Sequence, residues 1–295
     1  MAARAKSQIR IGISGWNYAP WRGVFYPKDL PHRRELEFAS RQFNSIEING
    51  SFYSLQRPSS YQRWYDETPG DFVFSVKGGR FITHMKRLRD IEIPLANFFA
   101  SGVLCLREKL GPILWQFPPM FRWNDEKLET FFDLLPRDSS AAARMAKKHN
   151  DKLKDRAWTR TDRTRPIRYA IEIRHDSFMI PEFFALLRRH QMAFVFSDAA
   201  AKWPYAEDLT ADFVYCRLHG AEKLYSSGYD NRAIVKWSGR IRKWRMGKQP
   251  RDAVLATPKT LTKAGPRDTY LYFDNDAKVH APFDALRQAR ELGLP

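Results

Sequence analysis

Eight short stretches of the chain carry the apolar runs and alternations of buried strands: RIGIS (10–14), SIEIN (45–49), FVFSVK (72–77), ILWQF (113–117), YAIEIR (169–174), AFVFS (193–197), FVYCRLH (213–219) and YLYFD (270–274). Each is bounded by Gly, Pro, Asn, Asp or charged residues, the punctuation of strand ends. Helix-like stretches lie between most of them. LETFFDLLP follows Asn124 or Asp125 as N-cap and is stopped by Pro136. PEFFALLRRHQ carries Pro181 in its first turn, and APFDALRQARELG ends with Gly293 just past it. Repeated strand–helix alternation predicts a parallel sheet, and eight strands predict an α/β (β/α)8 TIM-like barrel. The rival is an open doubly wound sheet, but no GxGxxG or P-loop pattern follows the first strand.

Two long basic insertions interrupt the alternation, at about 137–166 and 239–268. Connections of that length point to function or mobility, or to a solvated charged surface. The first is expected to form a helix over SAAARMAKKHNDKLKDRAW. The second begins with the end of a helix around Trp237 to Trp244 and continues as an irregular arm. No internal repeat or linker divides the chain, so residues 1–295 are expected to form a single domain.

Strand side chains alternate faces, and in a parallel barrel both faces are covered, so polar strand positions are informative. In SIEIN, Ile46 and Ile48 share the outer face, leaving Ser45, Glu47 and Asn49 to point inward. In YAIEIR, Ile171 and Ile173 point out while Glu172 and Arg174 point in. The same alternation directs Lys77, Gln116, Arg217, His219 and Asp274 inward, with Ser14 at the end of the first strand. All sit near the C-terminal ends of their strands, the end where barrel active sites gather. Buried charges require partners, and a self-satisfied ionic network is the alternative to a site. The alternation places Glu172 in one pocket with Glu47, Arg217 and His219.

Glu47 and Glu172 are the candidate catalytic carboxylates, as general acid and base or as acid and nucleophile, with His219 beside them. Lys77, Arg174 and Arg217 suit a phosphate clamp. His84, His175 and His219 lie at or after strand ends and, with Glu47, Glu172, Asp198 and Asp274, offer metal-ligand chemistry. The spacing contains no HxH or HExxH, so a divalent metal is open but not favoured. Trp16, Tyr18, Trp21, Phe52, Tyr53, Tyr225 and Tyr229 offer ring faces to a base or sugar, or simply pack the barrel mouth. Asn49 and Asn275 complete the candidate binding set.

The formal charge of +17 favours anionic partners, either a phosphorylated small molecule or nucleic acid. Cys105 and Cys216 show no metal or redox spacing and read as buried thiols in a reducing compartment. No apolar stretch reaches the ~18 residues of a spanning helix, and no apolar leader precedes the first strand, so no membrane association and a cytoplasmic location are expected. Three functions follow: a hydrolase acting on a phosphorylated or nucleic-acid substrate, a non-catalytic nucleic-acid-binding protein, and a glycoside-active enzyme.

The motifs GISGWNYAPWRGVFYP (12–27), IEINGSFYSLQ (46–56), FSVKGGRFITH (74–84), LGPILWQFPPMF (110–121), AIEIRHDSF (170–178), VYCRLHG (214–220) and YFDND (272–276), in this order, resemble the YecE-like family, labelled domain of unknown function 72. The likeness runs from about residue 10 to the C-terminus. It implies a TIM-like barrel and a cytoplasmic location, without prescribing a reaction; kinship with sugar-isomerase and endonuclease barrels is a fold-level analogy. Three positions depart from the family pattern: Gly50 in the Glu-x-Asn-Ser/Thr motif, Phe178 where Trp is frequent, and Asp274-Asn275 where Asn-Asn is usual. The last adds a carboxylate to the implied pocket.

Overall fold

The computed structural model of the chain describes residues 7–257 and 265–294. Its strands are β1 (Ile9–Ser14), β2 (Ser45–Ile48), β3 (Val73–Lys77), β4 (Leu110–Gln116), β5 (Tyr169–Glu172), β6 (Ala193–Asp198), β7 (Phe213–Leu218) and β8 (Asp268–Phe273). They close in sequence order into a barrel, with β1 returning to pair with β8 in parallel. The helices are α1 (Glu35–Gln42), α2 (Gly50–Tyr53), α3 (Pro58–Glu67), α4 (Glu92–Ala100), α5 (Asp125–Leu134), α6 (Ser139–Ala146), α7 (Pro181–Arg189), α8 (Asn231–Arg245) and α9 (His280–Glu291). This is the α/β barrel the alternation predicts. No helix among the described residues is long and apolar enough to cross a membrane.

Residue contacts gather into two units, one of Ser14–Asn17 with Leu30–Phe178, the other of the remaining chain. In the first unit, Trp115 on β4 points outward, its ring 5.3 Å from Phe98 of α4 and 5.4 Å from Phe131 of α5. That leaves Gln116 on the opposite face, paired in register with Glu172 of β5. Asn124 caps α5 by accepting from the Lys127 amide at 2.9 Å. Gly78, just after β3, lets Trp115 approach: a Cβ there would lie 2.1 Å from the indole.

The first basic insertion departs from its expectation. Its helix, α6, starts at the Asp138 cap and ends at Ala146, well short of Trp158. Tertiary contacts outcompete helical propensity beyond that point. Asn97 of α4 donates to the Asn150 side chain at 3.0 Å and accepts from the Asn150 amide at 3.1 Å. The Trp158 amide then donates to the Ala100 carbonyl at 2.8 Å, while Leu153 is buried. The segment is thus folded back onto α4.

In the other unit, Tyr215 of β7 stacks with Tyr270 of β8 at 6.4 Å and meets Tyr272 at a tilt at 5.3 Å, and these rings line the inner face. Phe196 of β6 packs outward on Trp244 of α8 at 5.3 Å. The expected helix around Trp237 to Trp244 is the body of α8, which Asp230 caps by accepting from the Ala233 amide at 2.7 Å. The irregular arm after it is anchored by two buried acids. Asp208 accepts from the amides of Ala256 at 2.7 Å and Thr257 at 3.1 Å, and from the Thr257 hydroxyl. Glu207 pairs with Arg240 of α8 at 3.3 Å, and Arg240 in turn holds Asp252 of the arm at 3.1 Å. Residues 258–264 of the second basic insertion lie outside the described residues.

Candidate active site

In the first unit the strand-end carboxylates are built into hydrogen-bonded groups. Glu47 is fully buried on β2 and accepts from the Ser14 hydroxyl at the end of β1. Asn49, one residue past β2, donates to the same hydroxyl at 2.9 Å. The Asn49 carboxamide oxygen is buried and has no hydrogen-bond partner among the described residues. Glu172, fully buried at the end of β5, accepts from Gln116 at 2.8 Å and from Arg174 at 3.2 Å, both at Oε1. The outward placement of Ile171 opposite Trp115 brings this about, because alternation turns Glu172 toward Gln116.

Cations and rings surround these acids. The Lys77 ammonium at the end of β3 lies 4.3 Å from the centre of the Phe52 ring. His84 sits in a one-turn π-helix, Phe81–Met85, with its ring 5.0 Å from Phe52. Burial pushes the His84 imidazole down to about 4, and nearby Arg174 and Lys77 add to the shift, so the ring is neutral at pH 7. At the His84 ring these cations outweigh the opposing charge of Glu172.

Other expected binding residues are occupied differently. His175 accepts the Ser177 amide at Nδ1, 3.0 Å away, which fixes the turn after β5. Trp16 packs on Trp64 of α3 at 5.2 Å and on Phe74 at 6.4 Å, so its ring contributes to packing. Tyr53 is 65% exposed, with the Arg80 guanidinium 5.4 Å from its ring.

In the other unit, Arg217 and His219 of the β7 end are fully buried and both reach Asp274. Arg217 donates to Asp274 Oδ2 at 3.0 Å, and His219 Nδ1 lies 2.9 Å from the same oxygen. Trp203 and Tyr225 set their rings perpendicular to the imidazole at 5.1 and 5.5 Å, fixing its plane. Asp276 joins this group. Burial raises its carboxyl to about 6, and the neighbouring Asp274 charge reinforces the shift against a hydrogen bond from Tyr18 and the pull of Arg217. An acid in that range can gain or lose a proton near neutral pH. Sequence reading passed over Asp276, although YFDND carries two carboxylates two residues apart. Trp203 gave no local signal, since only the fold brings it to His219.

Three residues expected in the pocket serve the outer layer instead. Asp198 shares its face of β6 with Phe196, which packs on α8; it accepts from Tyr229 and Trp237, and burial raises its carboxyl. Asn275 is buried and donates to Asp284 of α9 at 2.8 Å and to the Ser227 carbonyl at 2.9 Å. The buried Tyr229 donates its amide to Asp284 at 3.0 Å and accepts the Gly220 amide at its hydroxyl, 3.1 Å away. These two ties hold the loop after β7, which Gly220 enters at φ +118. Alternation past the inward Asp274 turns Asn275 outward, toward α9, where it is found.

The fold defines an α/β-barrel protein with buried ionisable side chains where its parallel strands end. The model of the family described as Protein of unknown function DUF72 matches residues 10–295, and the chain belongs to that family. It is similar to UPF0759 protein YunF of Bacillus subtilis, 30% identical over 128 residues, 41% of this chain and 43% of the relative. UPF0759 protein YecE of Escherichia coli K12 is 30% identical over 129 residues, 43% of this chain and 44% of the relative. The matched stretch spans less than half the length of either. Among solved structures, the DUF72 family protein TM1631 of Thermotoga maritima superposes with a TM-score of 0.73 at 23% identity, covering 97% of this chain and 99% of that one. EF0366 of Enterococcus faecalis, another DUF72 family protein, gives 0.68 at 18% identity over 98% of this chain and 96% of that one. Both show the same fold.

Proposed function

We propose that this protein is a hydrolase of phosphorylated substrates, with Glu47 and Glu172 as its acid–base carboxylates and Lys77 and Arg174 as its anion-holding cations. The neutral His84 carries this reading. Besides burial, Arg174 and Lys77 resist its proton more strongly than Glu172 favours it, which supports an anion beside these two cations. The unpartnered Asn49 oxygen supplies an acceptor for a substrate hydroxyl. One carboxylate would take a proton from attacking water while a protonated partner returns one to the leaving oxygen. The net charge of +17 supports attraction of a phosphorylated ligand over longer range. His219 with Asp274 and Asp276 offers acid–base chemistry at the ends of β7 and β8.

The test is turnover of a panel of phosphate monoesters, phosphodiesters and nucleotides by the wild type, Glu172→Gln and Glu47→Gln. Loss of about 100-fold or more in kcat/KM for either variant, with folding retained, supports the proposal. Turnover that survives both substitutions overturns it. Salt-sensitive nucleic-acid binding without turnover would replace it with a binding role, and Glu-dependent hydrolysis of glycosides would replace it with sugar chemistry.

A further inference from the structure

A pocket lies in the outer layer, between the end of β6 and α8. It has a volume of about 290 Å³ and is lined by Trp203, Tyr205 and Trp237, with Asp198, Glu207 and Lys236 among its polar groups. That volume is at the low end for small-molecule sites. The left-handed residues Ala200 and Ala201, at φ +48 and +58, turn the chain after β6 toward Trp203. Strained backbone at non-glycine residues often marks a functional loop.

The polar groups differ in what they have left to offer. Glu207 is already engaged, accepting from Tyr205 at 2.9 Å and pairing with Arg240 at 3.3 Å. Asp198 is only half-buried, and no cation lies within ion-pair distance of it among the described residues. Its two oxygens offer about four acceptor sites, of which the Tyr229 hydroxyl and Trp237 indole take two. Burial pushes its carboxyl up, so N–H donors from a ligand would relieve an under-solvated group. Lys236 is exposed at the rim and supplies a donor.

We infer that this outer pocket binds a nucleobase, and that guanine is the base it fits. The aromatic rings provide stacking faces, which accept any base. Discrimination comes from the polar pair. A carboxylate can accept two parallel N–H bonds, and guanine alone of the common bases presents two adjacent N–H donors with a carbonyl beside them. Asp198 takes the donors and Lys236 donates to the carbonyl, a pairing lysine also makes with guanine in DNA. Adenine, cytosine and uracil each reverse at least one of these polarities. A reversed donor or acceptor leaves the half-buried Asp198 carboxylate facing a lone pair, which weakens binding.

Calorimetric titration of the full chain with guanosine, adenosine, cytidine and uridine tests the inference without requiring turnover. Guanosine should bind at least tenfold more tightly than the other three. Asp198→Asn should weaken guanosine binding tenfold or more, and Lys236→Ala, on the exposed rim where folding is not at stake, severalfold. Glu172→Gln should leave it unchanged, which separates this pocket from the proposed hydrolytic site. Absence of binding, equal binding of all four nucleosides, or full affinity in both Asp198→Asn and Lys236→Ala would overturn it.

Discussion

Gln116 on β4 donates to Glu172 on β5 at 2.8 Å, from the position directly opposite in register. Arg174 approaches the same carboxylate oxygen, so one buried acid is gripped from two sides. Removing one partner of a buried ion pair costs more than neutralising the pair, because it strands the remaining charge. Arg174→Ala should destabilise the protein by about 3 to 5 kcal/mol. Glu172→Gln should cost less, and adding it to Arg174→Ala should recover part of the loss. Urea unfolding of the three variants measures the coupling; additive costs would show that the pair acts independently.

His84 should titrate far below an ordinary imidazole. Its folded pKa of about 4 lies below the ordinary imidazole value of 6.5, so the unfolded chain binds a proton that the native ring does not. The resulting stability is present above 6.5 and is lost as pH falls through about 4. NMR titration of the ring gives the value directly. Arg174→Ala should move it upward, since that guanidinium is among the charges holding it down.

Asp276 works in the opposite direction. Its folded pKa of about 6 exceeds the ordinary aspartate value of 3.8, so the native state binds the extra proton. Its contribution is present below 3.8 and is lost as pH rises through 6. Asp276→Asn should therefore make stability rise more steeply with pH between about 4 and 6 than in the wild type, where the Asp276 and His84 contributions oppose each other, read by urea unfolding across that range. Asp274→Asn should bring the Asp276 value down, because the Asp274 charge is the second cause of its elevation.

Gly78→Ala should destabilise by about 1 to 3 kcal/mol through overpacking. The added methyl would meet the Trp115 ring at 2.1 Å. Combining it with Trp115→Phe should recover part of the loss, measured as a thermal midpoint. A Gly78→Ala midpoint equal to that of the wild type would contradict the packing argument.

Asp208→Ala should cost roughly 2 to 3 kcal/mol, the worth of lost hydrogen bonds to a charged group. It should also release the arm that Ala256 and Thr257 tie to Asp208. Limited proteolysis should then nick the chain between residues 249 and 257 faster than in the wild type. Unchanged cleavage would mean that Glu207 and Arg240 suffice as the anchor.

All eight strands were legible because alternation and bounding residues are local properties: each expected segment overlaps an observed strand. Asn124, Pro181 and Gly293 likewise marked helix ends correctly, since caps act within one turn. The helix expected to continue to Trp158 was not legible. Its end depends on Asn97, 53 residues away from Asn150 in sequence.

The same division runs through the candidate site. The sequence by itself determined the barrel class and the inward face of β2, β4, β5 and β7, because a two-residue period assigns faces without knowledge of neighbours. Tertiary structure alone decided what those residues do. It set Asp198 against α8, gave Asn275 and Tyr229 to Asp284, and brought Trp203 to His219. It also raised Asp276 and lowered His84, since burial and the charges around a group are sums over the whole fold. Periodicity fixes which way a side chain leaves its strand; only packing decides what it meets there.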